Sequence, residues 1–198
     1  MKKKKGILLT VLLCMVCAGC GREAAPPPEP FSTFSYTHYA SGGTQEPYTA
    51  VILHEQSNST FTSYQVAYLS CTCRDPQVNY CSVCYVELLN TRPAAEEAAI
   101  RAISFGQNRG LWGDSNPNYY IPGYTEEYMD EHLVQPLTGA TKADFDAWGG
   151  YGAQLPQIDP DVISGATVSA GNLASMLRGL FAYHAEHYYG GEGKNDGA

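Results

Sequence analysis

The sequence predicts an α+β domain, a small antiparallel sheet packed with helices, and three observations predict it. Runs rich in Tyr, Val and Thr, with stretches of alternating polarity, fill the first half of the chain, and such runs suit half-buried strands. Helix-start signals at Thr91, Thr125 and Thr141 follow. Last come Leu173, Met176, Leu177, Leu180, Phe181, His184 and Tyr188, whose i, i+3, i+4 spacing lays them on one helical face. A chain of 198 residues fits one domain with tails and can bury a core.

The N-terminus reads as an address. Residues 1–20 run MKKKKGILLTVLLCMVCAGC, a basic start, an apolar stretch from Ile7 to Ala18, and small residues ahead of a cysteine. Twelve residues rising about 1.5 Å each fall short of a bilayer core of about 30 Å, so the stretch reads as a signal segment and not as a permanent span. Cys17-Ala18-Gly19-Cys20 resembles a bacterial lipobox. That resemblance implies a signal peptide over 1–19, acylation of Cys20, and a chain held at the extracytoplasmic face of a bacterial membrane. Each buried CH₂ of such an anchor contributes about 0.8 kcal/mol.

Removing the leader sharpens the charge. The whole chain carries 12 Lys+Arg against 20 Asp+Glu, and four of the basic groups are Lys2 to Lys5. The portion from Cys20 onward therefore keeps 8 basic groups against 20 acidic ones, a net of −12. Nucleic acid is an unsuitable partner for such a surface, because its binders concentrate Lys and Arg on one face.

After Cys20, GREAAPPPEP favours an extended spacer, and the reading assigns 20–44 to the lipidated cysteine and this spacer. The domain is expected over 45–189, with a Gly-rich polar tail over 190–198. Its strands are predicted at Tyr48 to Leu53, Thr60 to Leu69 and Tyr80 to Leu88, with Asn58 and Ser59 turning between the first two. Thr91, Pro93, Glu96 and Glu97 predict a helix running to Phe105, since proline and acids suit its first turn. Residues 106–124 read as a long loop carrying Trp112, and long loops in compact domains are often functional. Thr125 opens a short helix with Tyr128, Leu133 and Val134. Thr141 and Asp144 have capping-box spacing ahead of Phe145 and Trp148.

Chemistry concentrates just before the last helix, in Asp161-Val162-Ile163-Ser164-Gly165-Ala166-Thr167-Val168-Ser169. A positive φ at Gly165 would set Thr167 at the helix N-terminus, where unpaired N–H groups and the dipole favour an anion such as phosphate. Plain N-capping by Ser164, Thr167 or Ser169 is the competing reading. The segment is similar to the flavinylation motif of the covalent-FMN (FMN-binding domain) family: Asp, two variable residues, Ser or Thr, then Gly-Ala-Thr. That family includes subunits of sodium-translocating NADH:quinone reductase and of ion-pumping ferredoxin:NAD oxidoreductase.

The resemblance implies an FMN-binding-domain-like fold and FMN joined by a phosphoester to the Thr167 hydroxyl through a dedicated flavin transferase. Asp161, Ser164, Gly165, Ala166 and Ser169 would complete the cofactor site. Thr138-Gly139-Ala140-Thr141 repeats the four-residue core but has Gln135 where Asp is required, so Thr141 reads as a cap alone. More loosely, SCTCRDPQVNYCSVCYVELL and LRGLFAYHAEHY resemble exported FMN-binding lipoproteins. The function implied is electron transfer by an oxidoreductase component whose redox partners are unknown. Trp112, Tyr120, Tyr124, Trp148 and Tyr151 are candidates by type to contact the flavin ring.

Cys71-Thr-Cys73 and Cys81-Ser-Val-Cys84 leave three readings open: disulfides, free thiols, or a zinc or iron–sulfur site. On a strand, Cys81 and Cys84 would point to opposite faces. His54, His132, His184 and His187 are no stronger as ligands, and His184 falls on the buried stripe. Two further function classes stand beside the flavoprotein: a binding or structural lipoprotein without cofactor, and a cysteine-based metal or redox module.

Overall fold

The computed structural model describes residues 30–72, 80–105 and 125–190. Five antiparallel strands form one sheet in sequence order: β1 (Thr33–Tyr39), β2 (Gln45–Ser57), β3 (Phe61–Cys71), β4 (Tyr80–Leu89) and β5 (Ile100–Phe105). Period two governs the inward faces, for Thr62, Tyr64, Val66, Tyr68 and Ser70 of β3 are buried while Gln65 between them is exposed. The expected strands β2, β3 and β4 are present. Asn58 makes the turn between the first pair by accepting from the N–H groups of Thr60 at 2.8 Å and Phe61 at 3.0 Å.

Two expectations are corrected. Strand β1 lies inside the 20–44 stretch assigned to the spacer, so the folded unit begins before residue 45. Its sequence TFSYTHY alternates small polar and aromatic residues, burying Phe34, Tyr36 and His38. The connection to β2 is a tight turn in which Gly42 and Gly43 both hold φ of 82°, a conformation that disfavours any Cβ.

The helix expected from Thr91 to Phe105 reduces to a 3-10 turn at Ala95–Glu97 followed by β5. Ile103 of β5 aligns with Val86 of β4, and Ile100 with Leu88. Long-range pairing thus buries two β-branched side chains and overrides the local helix signals.

The remaining elements cover the sheet. Helix α1 (Glu126–Met129) continues as a π turn over Asp130–Val134 and a 3-10 turn over Gln135–Leu137, burying Leu133, Val134 and Leu137. Helix α2 (Lys142–Ala147) starts with the capping box expected from Thr141 and Asp144. A short α3 (Pro160–Gly165) precedes α4 (Thr167–Tyr189), the longest element at 23 residues. The expected stripe on α4 is buried through Leu173, Leu177, Leu180, Phe181 and His184.

Helix α4 also closes the free edge of β1. Ser175 accepts from the Thr37 N–H at 3.1 Å, and Asn172 accepts from the Tyr39 N–H at 2.6 Å. Edge donors that would otherwise invite another strand are satisfied in this way. Contact is closest at Gly179, where an added Cβ would stand 2.7 Å from the Ser35 carbonyl oxygen.

Candidate functional site

The junction of α3 and α4 is built from its caps. Asp159 caps α3 by accepting from the Asp161 N–H at 2.8 Å, and Pro160 fills the first helical position, where a missing N–H costs nothing. The helix ends at Gly165, and Ala166 breaks the path with φ −128° and ψ 38°. Thr167 is then the first residue of α4, as the sequence predicts. The route differs, because Gly165 is not among the glycines with positive φ and the break falls one residue later.

For Ser164 and Thr167 the capping alternative is also corrected. The N-cap position of α4 is Ala166, with no side-chain cap. Ser164 Oγ instead donates to the Asp161 carbonyl at 3.0 Å, and Thr167 Oγ1 donates to the Ser164 carbonyl at 3.1 Å. The start of a long helix, with the positive end of its dipole, about half a unit charge, therefore has no side chain at its N-cap to bond it. Asp161 and Ser164 are exposed and Gly165 and Thr167 half-buried, while Ala166 and Ser169 turn into the core.

An aromatic cluster stands against this helix start. A Cβ built on Gly152 would meet Thr167 Cγ2 at 3.7 Å, and one built on Gly171 would meet the Tyr39 ring at 3.6 Å and the Tyr151 ring at 3.8 Å. Tyr39 packs on Tyr151 at 5.6 Å between centroids and edge-on to Trp148 at 6.1 Å. Gly43 lies so close to Tyr151 that a Cβ would come within 2.9 Å of the ring.

Polar groups fix the cluster from behind. Trp148 Nε1 donates to the Ala153 carbonyl at 3.0 Å. The Arg178 guanidinium lies 5.1 Å from the Trp148 ring centroid and donates to the carbonyls of Phe145, at 2.6 Å, and Trp148. Asn172 holds Tyr39 through both backbone groups and also donates to the Ser70 carbonyl at 2.8 Å.

Of the ring candidates, Trp148 and Tyr151 are brought to the helix start, while Trp112, Tyr120 and Tyr124 lie outside the described residues. Sequence reasoning missed Tyr39, Asn172 and Arg178. Only the glycine-rich run Gly149-Gly150-Tyr151-Gly152 signals a close approach there. An open pocket of about 500 Å³ elsewhere is lined by Ser104, Phe105, Thr125, Glu127 and Asp130, none of them motif residues.

Among the described residues the cysteines are in different states. Cys71 is buried and disulfide-bonded, whereas Cys81 and Cys84 are thiols. On β4, Cys81 is exposed and Cys84 fully buried, so the two project from opposite faces and do not share an ion. Burial pushes the Cys84 thiol far above its ordinary range, helped by the Asp130 charge, and its Sγ donates to the Ser104 carbonyl at 3.5 Å. Cys20 and Cys73 lie outside the described residues. Among those described, no group of three His, Cys, Asp or Glu is arranged to hold a metal.

The four candidate histidines stand apart from the helix start at Thr167 and from one another's first partners. His184 is fully buried beside Tyr64, His132 packs at a tilt on Tyr128 at 4.3 Å between centroids, and His187 donates from Nδ1 to the Tyr183 carbonyl at 2.8 Å. His54 is exposed on β2.

Comparison with family models, with curated proteins and with solved structures finds no match to this chain, whose site therefore rests on its own geometry.

Proposed function

We propose that this chain is a membrane-anchored extracytoplasmic flavoprotein that carries FMN covalently on Thr167 and transfers electrons. One observation carries the reading. The hydroxyl named by the motif opens a 23-residue helix at an end without a side-chain cap, beside the cluster of Tyr39, Trp148 and Tyr151.

Both halves of that arrangement suit the group. A phosphoester on Thr167 would meet the first N–H groups and the dipole of α4, which favour negative charge. Exposed Gly152 leaves the surface beside Thr167 low, and the half-buried Tyr151 offers an aromatic face to a planar ring. Bound FMN would supply the electron-accepting and electron-donating chemistry. The chain's own part is to anchor the phosphate, orient the ring and exclude water along one side.

Maturation in this reading needs a flavin transferase with access to Thr167, which is half-buried at the junction of two helices. Attachment to the membrane rests on acylated Cys20, since a net charge of −12 downstream of the leader is repelled by anionic lipid. The opposed orientations of Cys81 and Cys84 weigh against the cysteine-based module. Coexpression with a flavin transferase tests the proposal: fluorescence should survive a denaturing gel, and its absence would overturn the reading in favour of a cofactor-free lipoprotein.

A further inference from the structure

The other end of α4 holds a second constellation. His184 lies 17 residues beyond Thr167, about 26 Å along the helix at 1.5 Å per residue. Tyr64 of β3 is fully buried, and its hydroxyl lies 2.8 Å from Nδ1 of the equally buried His184. The phenol is assigned as donor, which leaves the proton of the neutral imidazole on Nε2. Two more tyrosines of the same helix end also meet a base. Tyr183 donates to Glu55 Oε2 at 2.9 Å, and Tyr188 donates to Glu55 Oε1 at 2.6 Å.

The rings are in series. Tyr64 meets Tyr183 edge-on at 6.2 Å between centroids, and His184 stacks on Tyr188 at 4.8 Å. Tyr64 is sealed in the core while Tyr183 and Tyr188 are half-buried, so the series runs from the interior to the surface. Two other buried tyrosines, Tyr36 and Tyr68, lack this provision. Tyr36 donates to the Leu69 carbonyl, which cannot take a proton, and the Tyr68 hydroxyl has no partner.

The difference matters because a phenol that loses an electron becomes a strong acid. In the core only a base already hydrogen-bonded to the phenol can take that proton, which leaves the radical neutral and places the charge on the base. Burial also holds His184 neutral at rest, which keeps Nδ1 ready to accept. We propose that Tyr64 is a proton-coupled one-electron redox site, with Tyr183 and Tyr188 relaying oxidising equivalents from radicals and other strong one-electron oxidants at the surface.

The Tyr183 branch moves one electron and one proton at each step. Tyr183 gives one electron to the oxidant and its phenolic proton to the Glu55 carboxylate. Tyr64 then returns an electron to Tyr183, which recovers its proton from Glu55, while the Tyr64 proton moves to His184 Nδ1. The net products are a neutral tyrosyl radical at Tyr64, an imidazolium at His184 and a reduced oxidant. No flavin takes part, so the proposal stands or falls separately from the reading of Thr167.

The test is flash oxidation of the full chain, purified without flavin, by photogenerated tris(bipyridine)ruthenium(III), followed by transient absorption and freeze-quench electron paramagnetic resonance. A long-lived neutral tyrosyl radical is expected, formed more slowly in deuterium oxide. Tyr64→Phe, which removes one hydroxyl and keeps the ring, should lose that signal, and Glu55→Gln should delay its appearance. His184→Gln can still accept a hydrogen bond but not the proton, and should lose the signal too. If His184→Gln does not fold, Tyr64→Phe decides alone. A radical of unchanged yield and lifetime in Tyr64→Phe, or formation indifferent to deuterium, would overturn the proposal.

Discussion

Asn172 holds Tyr39 by both of its backbone groups: Oδ1 accepts from the Tyr39 N–H at 2.6 Å, and Nδ2 donates to the Tyr39 carbonyl at 3.0 Å. The residues are 133 apart in sequence, and the amide does for the edge of β1 what a further strand would have done. The first turns of α4 are thereby pinned to the strand that carries Tyr39 into the cluster beside Thr167.

Asn172→Ala should be among the most damaging single changes. It removes the side-chain partner of the Tyr39 N–H, the Tyr39 carbonyl and the Ser70 carbonyl in a buried site, at about 1–3 kcal/mol for each group left without a partner or water. We expect a loss of about 3 kcal/mol in urea unfolding, with unchanged stability as the contrary result.

Gly179→Ala tests the closeness of α4 to the sheet. Helix propensity alone predicts a gain of about 1 kcal/mol. The new Cβ would stand 2.7 Å from the Ser35 carbonyl oxygen and 2.9 Å from the Phe34 ring, and backbone yields poorly. Overpacking of about 1–3 kcal/mol should win, so the unfolding midpoint falls; a rise would show that the strand can move.

Stability should also drop in mild acid. Burial, aided by the charge of His187, lowers His184 from its ordinary 6.5 to about 4, and His38 is lowered as well by burial. Around His184 stand Tyr64, Tyr188, Tyr189, His187 and, through the tyrosines, Glu55. The unfolded chain binds the proton first, so this contribution is complete above pH 6.5 and is lost as pH falls toward 4, by about 3 kcal/mol for His184. Urea unfolding across that window should show the decline, and His184→Gln should flatten it.

Thiol labelling separates the two faces of β4. Exposed Cys81 should react with a maleimide in the folded protein, and Cys84, buried with its thiol pushed far up, should react only after unfolding. Peptide mapping by mass reads both positions. Labelling of Cys84 at native conditions would contradict the burial.

Much of this was legible locally. The alternation in β2, β3 and β4, the Thr141–Asp144 box and the stripe of α4 each follow from spacing within one segment. The β5 stretch was not, because Thr91, Pro93, Glu96 and Glu97 carry helix signals that yield only to pairing with β4. Strand β1 follows a proline-rich run and is secured by α4 from the far end of the chain. At the site, the motif located Thr167 at its helix start, whereas Tyr39 and Arg178 join through contacts that no local pattern announces.

Intact mass of the full chain coexpressed with a flavin transferase tests the central claim most directly. The account predicts one FMN added as a phosphoester, mapped to the peptide holding Thr167 and lost in Thr167→Ala while circular dichroism stays unchanged. An unmodified mass in the parent chain, or an adduct that persists in Thr167→Ala, would contradict it.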